Sequence, residues 1–88
     1  MTTGNKIITI SFDDFLNEGI LKENYFRDKI ESIDWTIYKE KIVLIKGCST
    51  APIPTWAYMI LVAKLTPYAY KILYGELCSA YEIYKNKS

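Results

Sequence analysis

Residues 42–79 read IVLIKGCSTAPIPTWAYMILVAKLTPYAYKILYGELCS, and their pattern decides the fold. Ile42 to Ile45 is continuously apolar and mostly β-branched, as expected of a central strand covered on both faces. Gly47 then opens a loop carrying Cys48, Ser49 and Thr50. Pro54 suits the first position of a helix, because its fixed φ is already helical and its missing N–H has no partner to lose there. The helix is expected to run to Leu65, where Thr66-Pro67 stops it. Apart from Lys64 it is apolar nearly all round, so one side needs the sheet and the other needs the first helix or a partner. Tyr68 to Tyr74 alternates, Tyr70, Ile72 and Tyr74 against Ala69, Lys71 and Leu73, which predicts a third strand ending at Gly75. A second loop follows, with Glu76, Cys78 and Ser79.

On the amino-terminal side, Lys6 to Phe12 also alternates, Ile8, Ile10 and Phe12 against Ile7, Thr9 and Ser11, the period of a half-buried strand. Asp13-Asp14 sits at its carboxyl end, and Asn17-Glu18-Gly19 is turn chemistry. Asn24 is a candidate N-cap for an amphipathic helix over about 24–33, whose Phe26, Ile30 and Ile33 fall on one narrow stripe. Trp35, Ile37 and Tyr38 are expected to plug the bottom of the core. A short fourth strand is expected at Tyr81 to Tyr84. Residues 1–5 and 85–88 are expected to be flexible and solvated.

The order is β, α, β, α, β. With right-handed crossovers it predicts a small single α/β domain spanning residues 1–88, built on a parallel or mixed sheet of three to four strands. A chain of 88 residues buries only about 60 to 65 % of its unfolded surface. Half of its residues are hydrophobic and 15 % are aromatic, so apolar surface is left for a partner or a second copy to cover. A homodimer is the expectation, with Trp56, Met59 and Ile60 of the apolar helix and Tyr70 and Tyr74 of the third strand as candidate interface residues.

Charge excludes several function classes. The net charge is +1, which gives no field toward nucleic acid or an anionic membrane. Residues 1–40 carry −3 and residues 41–88 carry +4, a small imbalance that favours antiparallel or head-to-tail pairing of two copies. The chain has no His and a single Arg, Arg27. That removes the commonest general base and zinc ligand and leaves little for a bidentate phosphate clamp. The first residues lack a basic segment followed by an apolar run, and the longest apolar stretch, Trp56 to Ala63, is too short to span a bilayer. A cytoplasmic protein with two thiols is the expectation.

Chemistry, where present, belongs at the carboxyl edge of the sheet, where strand ends and helix amino ends meet. That edge collects Asp13-Asp14, Gly47, Cys48, Ser49 and Thr50 with Gly75, Glu76, Leu77, Cys78 and Ser79. If the second and third strands are neighbours, the two Cys-bearing loops lie side by side. Cys48, ahead of a helix amino end, has the setting of a lowered thiol pKa, and with Cys78 could form a soft-metal ligand pair. The alternative is that both are small, half-buried apolar side chains, the usual state of Cys. One chain holds too few Cys and His for a closed zinc site, although two copies would contribute four Cys. The position six after Cys48 is Pro54, not the Arg of a phosphatase loop, and no Gly-rich nucleotide fingerprint is present. Asp13-Asp14 is better read as a solvated turn or cap than as a chelating pair. The Tyr residues interleaved with Lys64, Lys71, Lys85 and Lys87 are better read as a packed or interface face than as a base-stacking platform.

The stretch quoted above, with its IKGC strand end, its PIP step into PTWAYM, its KLTP stop and its YGELCS loop, resembles the bacterial family known as domain of unknown function 2480. ILKENYFRDKIESIDWTIYKEK also resembles that family's stretch before the strand, and the resemblance covers about residues 6–86. It implies a longer family unit that looks like two diverged copies of this one, so that two chains would associate to reproduce it. It also implies that Gly47, Cys48, Pro54, Tyr58, Pro67, Gly75, Glu76 and Cys78 are family positions, and, through neighbouring genes, a link to iron–sulfur metabolism. No activity comes with it.

Two functions are therefore expected. The first is a non-enzymatic, homodimeric binding or assembly module, whose strand-loop-helix-strand order is similar in topology to small STAS-like regulatory domains. The second is a thiol-dependent or metal-binding accessory protein using Cys48 and Cys78. Neither cofactor nor metal is specified by the residues. A self-contained hydrolase or transferase is not expected.

Overall fold

A computed structural model describes residues 6–47, 52–76 and 79–86. The elements run β1 (Ile7–Ser11), a 3-10 turn (Phe12–Phe15), α1 (Glu23–Ser32), a second 3-10 turn (Trp35–Tyr38), β2 (Ile42–Lys46), α2 (Thr55–Leu65), β3 (Lys71–Tyr74) and β4 (Tyr81–Lys85). They build a mixed α/β unit on a four-stranded sheet of order β1-β2-β3-β4. β1, β2 and β3 are parallel, and β4 returns antiparallel along β3 with a bulge.

Strand β1 ends where Ser11 caps the first 3-10 turn, its Oγ accepting from Asp13 N at 3.2 Å. Asp13 and Asp14 therefore sit in a capped turn, as read from the sequence, and Phe12 leaves the strand to begin that turn. Asn17 to Ile20 closes a two-residue hairpin with φ of 55° at Glu18 and 81° at Gly19, the signs of a type I′ turn. Helix α1 starts one turn-position earlier than expected. Lys22 is its N-cap with no side-chain bond, so Asn24 is not the cap; with Glu23 in the first turn and its carboxylate taking the Arg27 Nε at 3.0 Å, an acid supports that end instead. Pro54 is the N-cap of α2 rather than its first residue. The helix ends as expected, with Thr66 Oγ1 donating to Ala63 O at 3.3 Å.

Two further expectations change. Trp35 and Tyr38 are buried, and the Trp35 indole donates to Ile30 O at 3.1 Å, but Ile37 is 54 % exposed. In a 3-10 turn, residues i and i+3 eclipse, so Trp35 and Tyr38 share the inward side and Ile37 does not. Strand β3 starts at Lys71 rather than Tyr68, because the turn after α2 continues through Tyr68, whose N–H donates to Leu65 O at 2.9 Å.

Strands β1 to β3 are added in one direction, so right-handed crossovers put α1 and α2 on the same face of the sheet. The contacts agree: Phe26 of α1 meets the Trp56 ring of α2 at 5.9 Å, and Glu31 of α1 pairs with Lys64 of α2 at 3.4 Å. The core lies between helices and sheet, with Phe12, Phe26, Val43, Ile45, Leu61, Leu65 and Ile72 fully buried. Phe12, Phe15 and Phe26 interlock at centroid distances of 5.3 to 6.1 Å. β2 is thus covered by helices on one face, not two. Leu44, 2 % exposed but outside the main core cluster, lies on the other face, aligned with Thr9 and Leu73 of the flanking strands. The molecule is accordingly a slab, 43 × 28 × 17 Å along its principal axes. Among the described residues no helix is long and apolar enough to cross a membrane.

Candidate functional site

The carboxyl edge of the sheet is organised by β2 and β3. Ile45 and Tyr74 are register partners, and Gly75 N donates to Ile45 O at 3.1 Å. The loops that begin at Gly47 and Gly75 therefore leave from adjacent strand ends. Cys48, Ser49, Thr50 and Cys78 lie outside the described residues; Gly47, Glu76 and Ser79 lie within them. Lys46 and Glu76 form an ion pair at 3.6 Å between exposed side chains, a contact worth little in water. Ser79 is exposed, and its N–H donates to Glu76 O at 3.0 Å.

Gly47 is required by space. A Cβ there would stand 2.7 Å from the Tyr58 hydroxyl oxygen, so the absence of a side chain lets that phenol close over the end of β2, while the Tyr74 hydroxyl, at 3.8 Å, is at ordinary contact distance. Tyr58 packs edge-on against Phe12 at 4.7 Å and Tyr74 at 5.3 Å. Gly75 is required by conformation instead, with φ of 119°. Chemically, the described part of this edge holds two phenol hydroxyls, the Ser79 hydroxyl and one Lys–Glu pair. Among the described residues no group of three or more potential metal ligands is assembled.

The candidate interface residues divide by flank. Ala57, Leu61 and Leu65 face the sheet and are fully buried. Trp56 and Lys64 turn toward α1, where Trp56, 37 % exposed, packs on Phe26; Ile60 is half-buried against the core. Met59 is 67 % exposed. With Tyr58, Val62, Ala63 and Ile83 of β4 it lines an open apolar groove of about 400 Å³. Tyr74 is exposed at the carboxyl end of β3, whereas Tyr70 is half-buried and held by backbone bonds to Lys41 and Asn86. Sequence reasoning picked Met59 but missed Val62, Ala63 and Ile83. The i, i+3, i+4 spacing of 59, 62 and 63 was the available signal, whereas the place of Ile83 depends on β4 pairing back along β3.

Two groups away from this edge have shifted pKa values. Burial, with a smaller contribution from the Asp14 charge, raises the Tyr38 phenol above its usual value. Bonds from the Thr36 hydroxyl and N–H lower the exposed Asp34 carboxyl.

No curated protein and no solved structure matches the chain. The profile of the family described as "Protein of unknown function (DUF2480)" matches it twice, over residues 1–71 and over residues 37–86. The two matches reach across every element of the fold, and the chain belongs to that family.

Proposed function

We propose that this chain is a non-enzymatic binding and assembly module that works as a homodimer, joined through the outer flank of α2. The observation that carries the reading is the apolar groove in which Met59 stands exposed beside Val62, Ala63 and Ile83. A soluble surface seldom leaves a contiguous apolar patch without a partner. The double family match supports a second copy as that partner. Residues 37–71 fall in both matches, as they would if the family unit held this segment in two places, and two chains together supply both. Sedimentation of the purified protein at micromolar concentration tests the reading: a dimer that Met59→Glu converts to monomer is expected. Met59 is a cleaner probe than Trp56, whose ring also packs on Phe26. A wild-type protein that sediments as a monomer would sink the proposal.

A second reading is favoured by the adjacency of the β2 and β3 ends. Loops leaving from hydrogen-bonded neighbours can bring Cys48 and Cys78 to one place, as a thiol pair or as soft-metal ligands linked to iron–sulfur metabolism. Native mass spectrometry of protein purified without chelator is expected to show bound metal that is lost when both Cys become Ser. Apo protein whose folded thiols resist alkylation contradicts it.

A further inference from the structure

Beside the outer edge of β1, residues of four elements line a cleft of about 190 Å³. Its floor is apolar: Ile10, Phe15 and Ile33. Its walls are polar. Thr9 comes from β1, Asp14 from the first 3-10 turn, Lys29 and Ser32 from the last turns of α1, and Tyr38 from the second 3-10 turn. Asp14 is the only acid and Lys29 the only base among the lining residues. Neither takes part in any ion pair among the described residues. The Lys29 ammonium stands 6.0 Å from the Tyr25 ring centroid, at the outer limit of a cation–π contact. Asp14 and Lys29 thus line one cleft with their charged atoms more than 4.0 Å apart. The Ser32 hydroxyl donates to Lys29 O at 2.7 Å, so its oxygen is left as an acceptor. Tyr38, whose phenol is held in its neutral form by burial and by Asp14, is a donor at neutral pH.

We propose that this cleft binds a small aliphatic α-amino acid, with its ammonium on Asp14 and Ser32, its carboxylate on Lys29 and Tyr38, and its side chain on the apolar floor. The ligand must be both bipolar and small. A lone anion would face Asp14 and a lone cation would face Lys29, and each would be repelled. The volume falls below the ~300 Å³ at which pockets for larger ligands begin, which excludes nucleotides and peptides as whole occupants. This site is separate from the α2 groove and does not depend on self-association.

The test is titration of isotope-labelled full-length protein with L-alanine and L-valine, followed by NMR shifts, with the N-acetyl and carboxamide forms of the same amino acids as comparison. Saturable shifts at Ile10, Phe15, Ile33 and Tyr38 are expected, with dissociation constants in the millimolar range or tighter. Both blocked forms and the variants Asp14→Asn and Lys29→Met are expected to bind about tenfold more weakly or worse, because each removes one charged hydrogen-bond partner. These side chains are not core residues, so the variants keep the fold, and Met59→Glu is expected to bind the amino acid as the parent does. Absence of saturable shifts up to tens of millimolar overturns the proposal. So does equal binding of the blocked forms, or binding that both cleft variants leave unchanged.

Discussion

Helix α1 buries a single stripe, Phe26 and Ile30, and presents Glu23, Asp28 and Glu31 to water. Helix α2 has its sheet flank covered by β2 and β3 and a second flank covered by α1, yet Met59 still stands in solvent. Both helices lie on the same face of the same sheet, so topology does not separate them. The difference is in how much apolar surface each brings. α1 brings what the core takes up, whereas α2 is apolar almost all round and brings more than the core covers. A polar flank is thus as informative as an apolar one, since it marks where burial stops.

The comparison can be broken most severely at the α1 stripe. Phe26→Ala is expected to lose about 3 to 5 kcal/mol, much of the total of about 5 to 10 kcal/mol expected for a domain of this size. A urea melt measures it, and a loss under about 1 kcal/mol would mean that α1 is not anchored by that ring. Met59→Glu on α2 should do the opposite. It is expected to weaken self-association at least about tenfold while shifting the unfolding free energy by less than about 0.5 kcal/mol. If instead the fold collapses, the outer flank of α2 is core and the two helices do not differ.

At the junction of α2 with the sheet edge, Gly47→Ala is expected to cost about 1 to 3 kcal/mol by pushing a Cβ into the Tyr58 hydroxyl. The same change made with Tyr58→Phe should cost clearly less, and equal costs in both backgrounds would show that the phenol is not the obstacle. On the α1 side, pH gives a subtler readout. Tyr38 has its pKa raised above 10.0 in the folded chain, by burial and then by Asp14. As pH rises, the unfolded chain releases this proton first, so the folded state binds more protons and stability falls above about pH 10. Below that the contribution is constant. Tyr38→Phe should flatten the alkaline limb of the stability profile, and an unchanged limb would assign it to other groups. The smallest effect belongs to the strut between the helices, Lys64 to Glu31 at 3.4 Å with both side chains well exposed. Lys64→Ala is expected to cost no more than about 0.5 kcal/mol and to lose even that in high salt.

Much of this was legible beforehand for reasons that lie in particular residues. The alternation of Ile8 and Ile10 against Ile7 and Thr9 marks β1 because a strand's side chains change face at every step. Thr66-Pro67 marks the end of α2 because the residue before Pro resists helical ψ. Tyr38 was expected to be core and is; Ile37 beside it was expected to be core and is not, because a tight turn reads three residues per turn rather than any apolar run. At the carboxyl edge, the glycine at 47 could be seen, but not the Tyr58 phenol that occupies the place of its Cβ or the Tyr74 ring packed beside that phenol. Tyr58 and Tyr74 stand eleven and twenty-seven residues further on, and nothing local aims them at one point. The cleft beside β1 was illegible for the same reason, since Asp14, Lys29 and Tyr38 share no spacing.

What this sequence determines by itself is the kind and order of its elements, because periodicity, turn residues and breakers act within a few positions of the chain. The tertiary structure decides which elements become neighbours. Three strands added in one direction with right-handed crossovers bring both helices to one face, and the return of β4 lays Ile83 beside α2. Those two steps decide which flank of α2 is covered and which is left open, because α1 lies against one side and β4 returns beside the other; that α2 rather than α1 has apolar surface to spare is already written in its sequence.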